Sequence, residues 1–264
     1  MNVTVLPSLA ALSGAAAEIV ADVALASVAA RGSFAIALAG GGTPRGTYER
    51  LATGFTARIP WDRTEVYFGD ERCVEPTHPE SNFRMVSESL LSRVAIPTAN
   101  IHPVRASGEA PALVAEEYEG LLRRRFDDGP AEVSSIVERD GTALREIADA
   151  VDGNVRPTFD LTILGMGEDG HTASLFPGAA ALEARLRWVA ATTAPPDAAV
   201  RDRITLTLPM LNRSRSVLFL CAGRRKREVL RQVLAGGSSA ARYPAARVRG
   251  IEETRWLVDE EAGG

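Results

Sequence analysis

The chain has 264 residues, of which 45% are hydrophobic and 24% are charged, and its formal net charge is −4. These values are ordinary for a globular protein with one large or two small cores, and the weak negative charge argues against nucleic-acid or membrane-surface binding. The two cysteines, Cys73 and Cys221, are too few for a disulfide framework and are typical of a reducing compartment. The apolar residues 9–30 include Glu18 and Asp22 and lack a basic leader, so they predict neither a signal peptide nor a membrane span. We therefore expect a cytoplasmic monomer or homodimer.

Helical and strand-like segments alternate along the chain. Residues 10–30 are rich in alanine and predict a first helix that ends at Gly32. The continuous apolar run at residues 33–39 is typical of a strand that is covered on both faces. Further helices are predicted at residues 45–52, 82–94, 112–126 and 225–234, and further strands at residues 64–68, 158–164, 188–192, 204–208, 217–221 and 256–258. This alternation predicts an α/β fold with a largely parallel sheet between two helical layers.

One segment departs from this pattern. Residues 127–157 are polar and rich in acids, glycine and proline, with a single predicted helix near residues 142–151. Polar sequence contributes little to a core, and surface excursions are well tolerated. We therefore expect one domain over residues 1–264 with a peripheral insertion at residues 127–157.

Three unusual turns follow predicted strands, at the sheet edge where such folds bind ligands. The first is Gly40-Gly41-Gly42-Thr43-Pro44, in which glycines expose backbone N–H groups and Thr43 adds a hydroxyl. Pro44 suits the first position of the helix behind it, and the positive end of that helix favours a phosphate at Gly41, Gly42 and Thr43. A tight turn made only for close packing is the alternative. No Gly-Lys-Ser/Thr follows, which excludes a Walker A loop.

The second turn is Gly69-Asp70-Glu71-Arg72-Cys73, which places three charges directly after a buried strand. Such charges are costly unless they are solvated, paired or used for a ligand. Asp70 is therefore a candidate for substrate binding, and Arg72 could grip phosphate or stabilise a developing oxyanion. A solvated strand end with local ion pairs is the alternative. Cys73 is better explained as a small, partly buried residue than as a nucleophile.

The third turn follows the strand at residues 158–164 and presents Asp169 and His171 among glycines. Gly165, Gly167 and Gly170 spell the dinucleotide fingerprint, which also requires a long helix and an acidic residue about twenty positions on. Here a Pro-Gly pair soon stops any helix and no acid follows the next strand, so nicotinamide binding is excluded. An imidazole beside a carboxylate predicts that His171 is a general base, and Gly167 lets the backbone approach a ligand closely.

Other catalytic classes fit this turn poorly. Ser174 lacks the G-x-S-x-G elbow of a nucleophilic serine. His78, His102 and His171 are scattered and the chain has no cysteine pair, so no metal site is predicted. We expect neither a metal nor an organic cofactor.

Arginine strongly outnumbers lysine in this chain, which has 29 arginines and one lysine, Lys226. Because this chain uses arginine almost wherever it needs a positive charge, Lys226 is a candidate for a site that requires a compact ammonium. A chance surface lysine within the basic run at residues 224–227 explains the same observation equally well.

Together these segments resemble a known family. The strings AGGGTP, WDRTEVYFGDERCVEPTHPESNFRMV, FDLTILGMGEDGHTASLFPG, RITLTLPMLNRS and LFLCAGRRKREVL occur in the order seen in the glucosamine-6-phosphate isomerase/6-phosphogluconolactonase family. The resemblance implies the Rossmann-like three-layer sandwich shared with glucosamine-6-phosphate deaminase and ribose-5-phosphate isomerase. It also implies hydrolysis of 6-phospho-D-glucono-1,5-lactone to 6-phosphogluconate in the oxidative pentose phosphate pathway, with this small-molecule lactone as the partner.

The resemblance also implies roles for individual residues. His171 corresponds to the catalytic base, and Asp169 and Arg72 to its neighbours in the active site. Gly41, Gly42 and Thr43 correspond to the phosphate loop of the family. Lys226 corresponds to a further contact with the phosphate or the substrate. The long segment at residues 127–157 is the main departure from the family pattern.

Two other functions are compatible with the same scaffold. A sugar-phosphate deaminase or isomerase needs an additional acid/base, which in the deaminase is a carboxylate soon after the histidine, where this chain has Ser174-Leu175-Phe176. A non-catalytic sugar-phosphate sensor would be expected to lose the histidine or to carry a DNA-binding segment. This chain keeps His171, and no basic helix-turn-helix stretch is apparent.

Overall fold

The computed structural model describes residues 2–106, 108–126 and 157–264, so nearly all of the predicted insertion lies outside the described residues. Nine strands are described: β1 (Asn2–Leu6), β2 (Phe34–Leu38), β3 (Thr64–Phe68), β4 (Asp70–Arg72), β5 (Leu161–Gly165), β6 (Val189–Thr193), β7 (Asp202–Leu206), β8 (Ser216–Cys221) and β9 (Glu253–Asp259). Six of them form a parallel sheet in the order β1-β9-β8-β5-β2-β3. The other three form a small antiparallel sheet in the order β4-β7-β6.

The helices complete the layers around the large sheet. They are α1 (Leu9–Arg31), α2 (Gly42–Gly54), α3 (Asn82–Ser89), α4 (Pro111–Phe126), α5 (Leu208–Leu211), α6 (Arg227–Ala235), α7 (Pro244–Arg247) and α8 (Glu260–Gly263). α1 and α2 pack against each other and against the large sheet, α4 packs against the small sheet, and α8 packs against β9 and β1. The predicted Rossmann-like α/β/α sandwich is confirmed.

Helix α1 shows how small side chains build this packing. Ser8 caps its first turn by accepting a hydrogen bond from the amide of Ala11, and Gly32 ends it in the left-handed conformation, with φ of 80°. By length and composition alone α1 could cross a membrane. Its alanine-rich face, which includes Ala16 and Ala21, is instead buried within the fold.

The central strands are continuous apolar runs because both of their faces are covered. Phe34, Val66 and Ile163 are at most 3% exposed. Phe219 of β8 and Trp256 of β9 stack with 3.9 Å between their ring centroids. These strands form the buried platform whose carboxyl ends carry the loops described below.

Most predicted elements are confirmed, with shifted ends. Strand β3 has the predicted bounds. Helix α2 begins at Gly42 rather than at residue 45, so Pro44 is its third residue and not its first. Proline is tolerated there because the first four N–H groups of a helix have no partner within the helix. The helix predicted at residues 82–94 ends at Ser89 and is followed by a 3₁₀ turn, Leu91–Arg93.

The structure corrects the assignment of two strands. The segments predicted at residues 188–192 and 204–208 are β6 and β7, which pair antiparallel in the small sheet and not within the parallel one. Strand β4 was predicted as a turn, and β1 was missed altogether. The apolar pattern of a strand does not reveal its partner, and β4 is a wholly charged tripeptide that lacks any strand-like pattern.

The strand order determines where a ligand should bind. From β2 the chain proceeds outward to β3, whereas from β5 it proceeds in the opposite direction to β8 and β9. Ligands of open α/β sheets bind outside the carboxyl ends of the strands, where the order reverses. In this fold that point lies between β2 and β5.

Candidate active site

The three predicted turns and Lys226 follow four adjacent strands, in the order β8, β5, β2 and β3. The amide of Gly69 donates to the carbonyl of Leu38 at 2.9 Å, which joins the ends of β3 and β2. Arg225 forms an ion pair with Glu168 at 3.0 Å, which joins the Lys226 loop to the His171 turn. The predicted site residues are therefore brought to one edge of the sheet.

The turn after β5 is closed by its own backbone. The amide of Gly167 donates to the carbonyl of His171 at 2.9 Å, and the amide of Gly170 donates to the carbonyl of Gly167 at 3.1 Å. Within this turn Nδ1 of His171 lies 2.6 Å from Oδ1 of Asp169, which also accepts from the amide of His171 at 3.1 Å. The ring of Phe176 lies beside the imidazole, with 4.9 Å between the centroids. The orientation of the imidazole is therefore well defined.

The carboxylate of Asp169 fixes the chemistry of this imidazole. Partial burial of Asp169 acts against its charged form, but the hydrogen bond and charge of His171 dominate and hold the pKa of Asp169 below its ordinary value. An ionised carboxylate on Nδ1 keeps the proton on Nδ1 and leaves the lone pair on Nε2. The side chain of His171 is 34% exposed, so solvent and a small ligand can reach it. This arrangement can accept a proton from water.

Gly167 makes room for the imidazole. A Cβ atom at position 167 would lie 2.1 Å from Nδ1 of His171 and 2.7 Å from Oδ1 of Asp169. Any side chain there would displace the Asp169–His171 pair. The structure thus gives a steric reason for a glycine at position 167. The predicted contact between Gly167 and substrate stays a prediction.

The glycine loop after β2 lies at the start of α2. Gly41 precedes the helix with φ of 93°, a conformation that disfavours any side chain, and no side chain caps the first turn. The amides of Gly42 and Thr43 therefore belong to the unbonded first turn, whose positive dipole end favours an anion. A Cβ atom at Gly40 would lie 1.8 Å from Oδ1 of Asn82, so glycine is required where the loop meets α3.

The charged turn after β3 is fixed to the beginning of α3 by Glu71. This buried carboxylate accepts from the amides of Arg72, Asn82 and Phe83 at 2.7 to 2.8 Å and from the hydroxyl of Ser81 at 3.2 Å. Burial raises the pKa of Glu71 even though these donors oppose the rise. Glu71 therefore orients the backbone of Arg72.

Asp70 is a link between three elements. Its Oδ2 accepts from the hydroxyl of Ser174 at 2.6 Å, and its Oδ1 accepts from the side-chain amide of Asn82 at 3.2 Å. Ser174 is 2% exposed, and its amide donates to Oγ1 of Thr205 at 3.2 Å. The rejection of a nucleophilic serine stays a prediction. Direct contact between Asp70 and substrate stays a prediction.

Arg72 lies beside a second arginine that the sequence did not single out. Arg203 of β7 pairs directly opposite Arg72 of β4, so both side chains lie on the same face of the small sheet. Nη1 of Arg72 donates to the carbonyl of Glu80, but Nε of Arg72 and Nε of Arg203 are buried without a partner among the described residues. Burial, and then the charge of Arg72, lower the pKa of Arg203 despite nearby carboxylates. Two adjacent guanidinium groups with unused donors are suited to an anion.

Lys226 ends a single 3₁₀ turn, Arg224–Lys226, that follows β8. The turn is held by the carboxylate of Asp259, which accepts from the amide of Gly223 at 3.0 Å. Burial raises the pKa of Cys221 to about 11, and the nearby charge of Lys226 opposes that rise. Across the described part of the chain, the half-buried ammonium has no hydrogen-bond or ion-pair partner. It is therefore available to a ligand at this edge.

Sequence reasoning missed Arg203 and Asn82, and it did not foresee that Ser174 contacts Asp70. A charged residue opening the apolar run RITLTL was the available signal for Arg203. That signal could not be interpreted without knowing that β7 pairs with β4. Asn82 was correctly predicted as a helix residue, but its side-chain amide also donates to the carbonyl of Asp70 and lies close to Gly40.

The chain is similar to several 6-phosphogluconolactonases. A 6-phosphogluconolactonase from Nostoc sp. is 37% identical over 262 residues, which cover 99% of this chain and 97% of the relative. A 6-phosphogluconolactonase from Synechocystis sp. is 38% identical, over 89% of this chain and 86% of the relative. The crystal structure of 6-phosphogluconolactonase from Thermotoga maritima superposes with a TM-score of 0.74 at 32% identity, over 98% of this chain and 99% of that one. The family model of glucosamine-6-phosphate isomerases/6-phosphogluconolactonase matches residues 7–256, and this chain therefore belongs to that family.

Proposed function

We propose that this chain hydrolyses 6-phospho-D-glucono-1,5-lactone to 6-phosphogluconate. The single observation that carries the proposal is the Asp169–His171 pair, held at 2.6 Å at the point where the strand order reverses. Full-length relatives with the same named activity support it. The reaction is the hydrolysis of a cyclic ester, which needs a base, an oxyanion stabiliser and an anchor for the phosphate.

His171 acts as the general base. Its Nε2 accepts a proton from water as the water oxygen attacks C1 of the lactone, and the carboxylate of Asp169 stabilises the imidazolium that results. The tetrahedral intermediate then collapses, the bond between C1 and the ring oxygen breaks, and the imidazolium returns its proton to that oxygen. The products are a carboxylic acid, which ionises, and a hydroxyl group. These reaction steps require no covalent enzyme intermediate.

The glycine loop holds the phosphate. Amides of Gly41, Gly42 and Thr43 at the start of α2 form a positive site, and Arg72 and Arg203 supply guanidinium donors from the next strand end. β2 lies between β5 and β3, so a phosphate at its loop places the sugar ring beside the His171 turn. Lys226 approaches the substrate from the β8 side. Phosphate binding then holds C1 against the base.

The oxyanion is stabilised by backbone amides of the turn that carries His171, other than those of Gly167, Gly170 and His171, which already have partners within the turn. This assignment leaves Arg72 to the phosphate, because β5 and β3 are two strand spacings apart, or about 10 Å. Asp70 and Gly167 hold these groups in position, and neither residue transfers a proton in the reaction.

Bacterial relatives support a cytoplasmic location for the enzyme.

The decisive experiment supplies freshly prepared 6-phosphogluconolactone to the purified chain and follows acid release against the spontaneous rate. We expect a rate that scales with enzyme concentration and saturates with lactone. Glucosamine 6-phosphate is the matched alternative substrate, and ammonia release from it would favour a deaminase. Binding of either compound without turnover would favour a sugar-phosphate sensor.

A further inference from the structure

The ring of Tyr243 packs directly on the glycine that precedes His171. Gly170 has φ of 81°, and a Cβ atom there would lie 2.4 Å from Cδ1 and 2.9 Å from Cγ of Tyr243. The tyrosine ring therefore occupies the space that a side chain at position 170 would fill. Tyr243 is only 8% exposed, so this contact is inside the fold.

The same segment forms a second contact with the turn. The amide of Ala245 in α7 donates to the carbonyl of Gly170 at 3.1 Å. Gly170 is thus held from one side by a ring and from another by a hydrogen bond. Both contacts come from residues 243–245.

Tyr243 is itself held in place. Its hydroxyl donates to Oε1 of Gln232 at 2.7 Å, and Nη2 of Arg242 donates to that hydroxyl and to the same Gln232 oxygen, each at 2.7 Å. The guanidinium of Arg242 also lies 4.7 Å from the centroid of the tyrosine ring. These contacts fix the ring against α6 and leave it few alternative orientations.

We propose that Tyr243 is a positioning residue that holds the Gly167–His171 turn in the conformation in which Nδ1 of His171 meets Asp169. The inference rests on the proposed role of His171 as the base. A left-handed Gly170 can adopt many other conformations once its neighbour is gone. The imidazole would then lose its fixed relation to the carboxylate, although every residue named so far as catalytic would still be present.

The test compares Tyr243→Ala, which removes the ring, with Tyr243→Phe, which keeps the ring and loses the hydroxyl. Nitrogen-detected NMR of the imidazoles is the first readout, because the chain has only three histidines, and His171→Ala identifies the His171 signal. We expect Tyr243→Ala to lose the hydrogen-bonded Nδ1 proton of His171 while His78 and His102 keep their signals. Tyr243→Phe should retain it.

Kinetics provide the second readout. Tyr243→Ala should lower kcat about tenfold to a hundredfold with KM changed less than about twofold, since misplacing a reacting group affects turnover while the phosphate anchors remain. Leu122→Ala is the matched control, because it opens a cavity at a fully buried position of α4, a helix that packs against the small sheet. It should lower the Tm and leave kcat unchanged when both variants are assayed below their Tm values.

The outcomes separate the two proposals. A Tyr243→Ala enzyme that keeps both the His171 signal and wild-type kcat overturns the positioning role. If this variant does not fold, Tyr243→Leu, which keeps a buried apolar side chain, takes its place under the same criteria. The NMR signal is recorded without substrate, so it reports on the turn even if His171→Ala later proves fully active and the proposed base is wrong.

Discussion

The proton on the His171 ring is placed by its immediate neighbours. Asp169 holds Nδ1, Gly167 leaves space for the ring, and Phe176 packs beside it. No single one of these contacts is unusual, but together they leave Nε2 with the lone pair at the edge where substrate is expected. The most informative substitutions at this scale change one group and leave its neighbours in place.

His171→Ala should lower the turnover of the lactone by about 10²–10⁴-fold, the usual contribution of a general base. KM should change little, because the phosphate anchors lie on other strands. A coupled assay that records 6-phosphogluconate at several lactone concentrations provides both constants. His102→Ala is the control, since that histidine pairs with Glu65 near the amino end of β3. Near-wild-type turnover in folded His171→Ala would show that His171 is not the general base.

Lys226→Arg tests whether this position requires an ammonium. A guanidinium is planar and larger than an ammonium, so it should displace its neighbours while keeping the charge. We expect Lys226→Arg to raise KM several-fold, and Lys226→Ala to raise it further, with the folded fraction unchanged. Arg224→Lys is the matched control, because Arg224 is exposed and lies in the same turn. If both Lys226 variants keep wild-type constants, Lys226 is a surface residue within a basic run.

At the scale of elements, the pairing of β4 with β7 creates the Arg72–Arg203 pair. Two partly buried guanidinium groups repel each other, and a buried donor without a partner is costly. We infer that this arrangement lowers the stability of the fold in favour of the proposed anion site, a compromise that is common where function requires it.

Arg203→Gln should therefore separate stability from binding. We expect KM for the lactone to rise about tenfold or more, since a charge-assisted contact to phosphate is lost. The Tm of the substrate-free enzyme should stay constant or increase, because the repulsion with Arg72 is removed. Arg201→Gln, an exposed change two residues earlier in the chain, should alter neither value. A lower Tm with unchanged KM would make Arg203 a structural residue.

The elements differ in how far sequence reveals them. Apolar runs such as β3 were predicted with their bounds because both faces of the strand are buried, and the three turns were found because glycine and charge are conspicuous after such runs. β4 could not be found in this way, since its three residues are all charged and become a strand only by pairing with β7. Arg203 was missed for the same reason. A contact that depends on the partner of a strand is absent from the local pattern.

At the scale of the whole molecule, the order of strands assembles the site. The turns carrying Thr43, Arg72, His171 and Lys226 are far apart in sequence and follow four neighbouring strands. Alternation of helices and strands predicted a common edge for these turns, but not their order along it. The order matters, because it places the proposed phosphate loop between the proposed base and the arginine pair.

The same topology locates the two ends of the insertion. The ring of Phe126, at the end of α4, lies 5.3 Å from the ring of Phe159, and both pack against Tyr67. Phe159 precedes the amino end of β5, whereas His171 follows its carboxyl end. Five residues of strand separate these ends by about 16 Å. The insertion therefore leaves and re-enters the described fold on the side away from the candidate site.

Replacement of residues 127–157 by a short Gly/Ser link should accordingly leave lactonase activity largely intact. The two ends are already close, so a short link can close the chain without strain, and shortening a loop changes closure entropy only modestly. We expect kcat and KM within about twofold of the parent, since no group assigned to binding or proton transfer is removed. Circular dichroism and the Tm establish that the shortened chain is folded. A folded variant that has lost most of its turnover would show that the insertion reaches the His171 edge and contributes to the site.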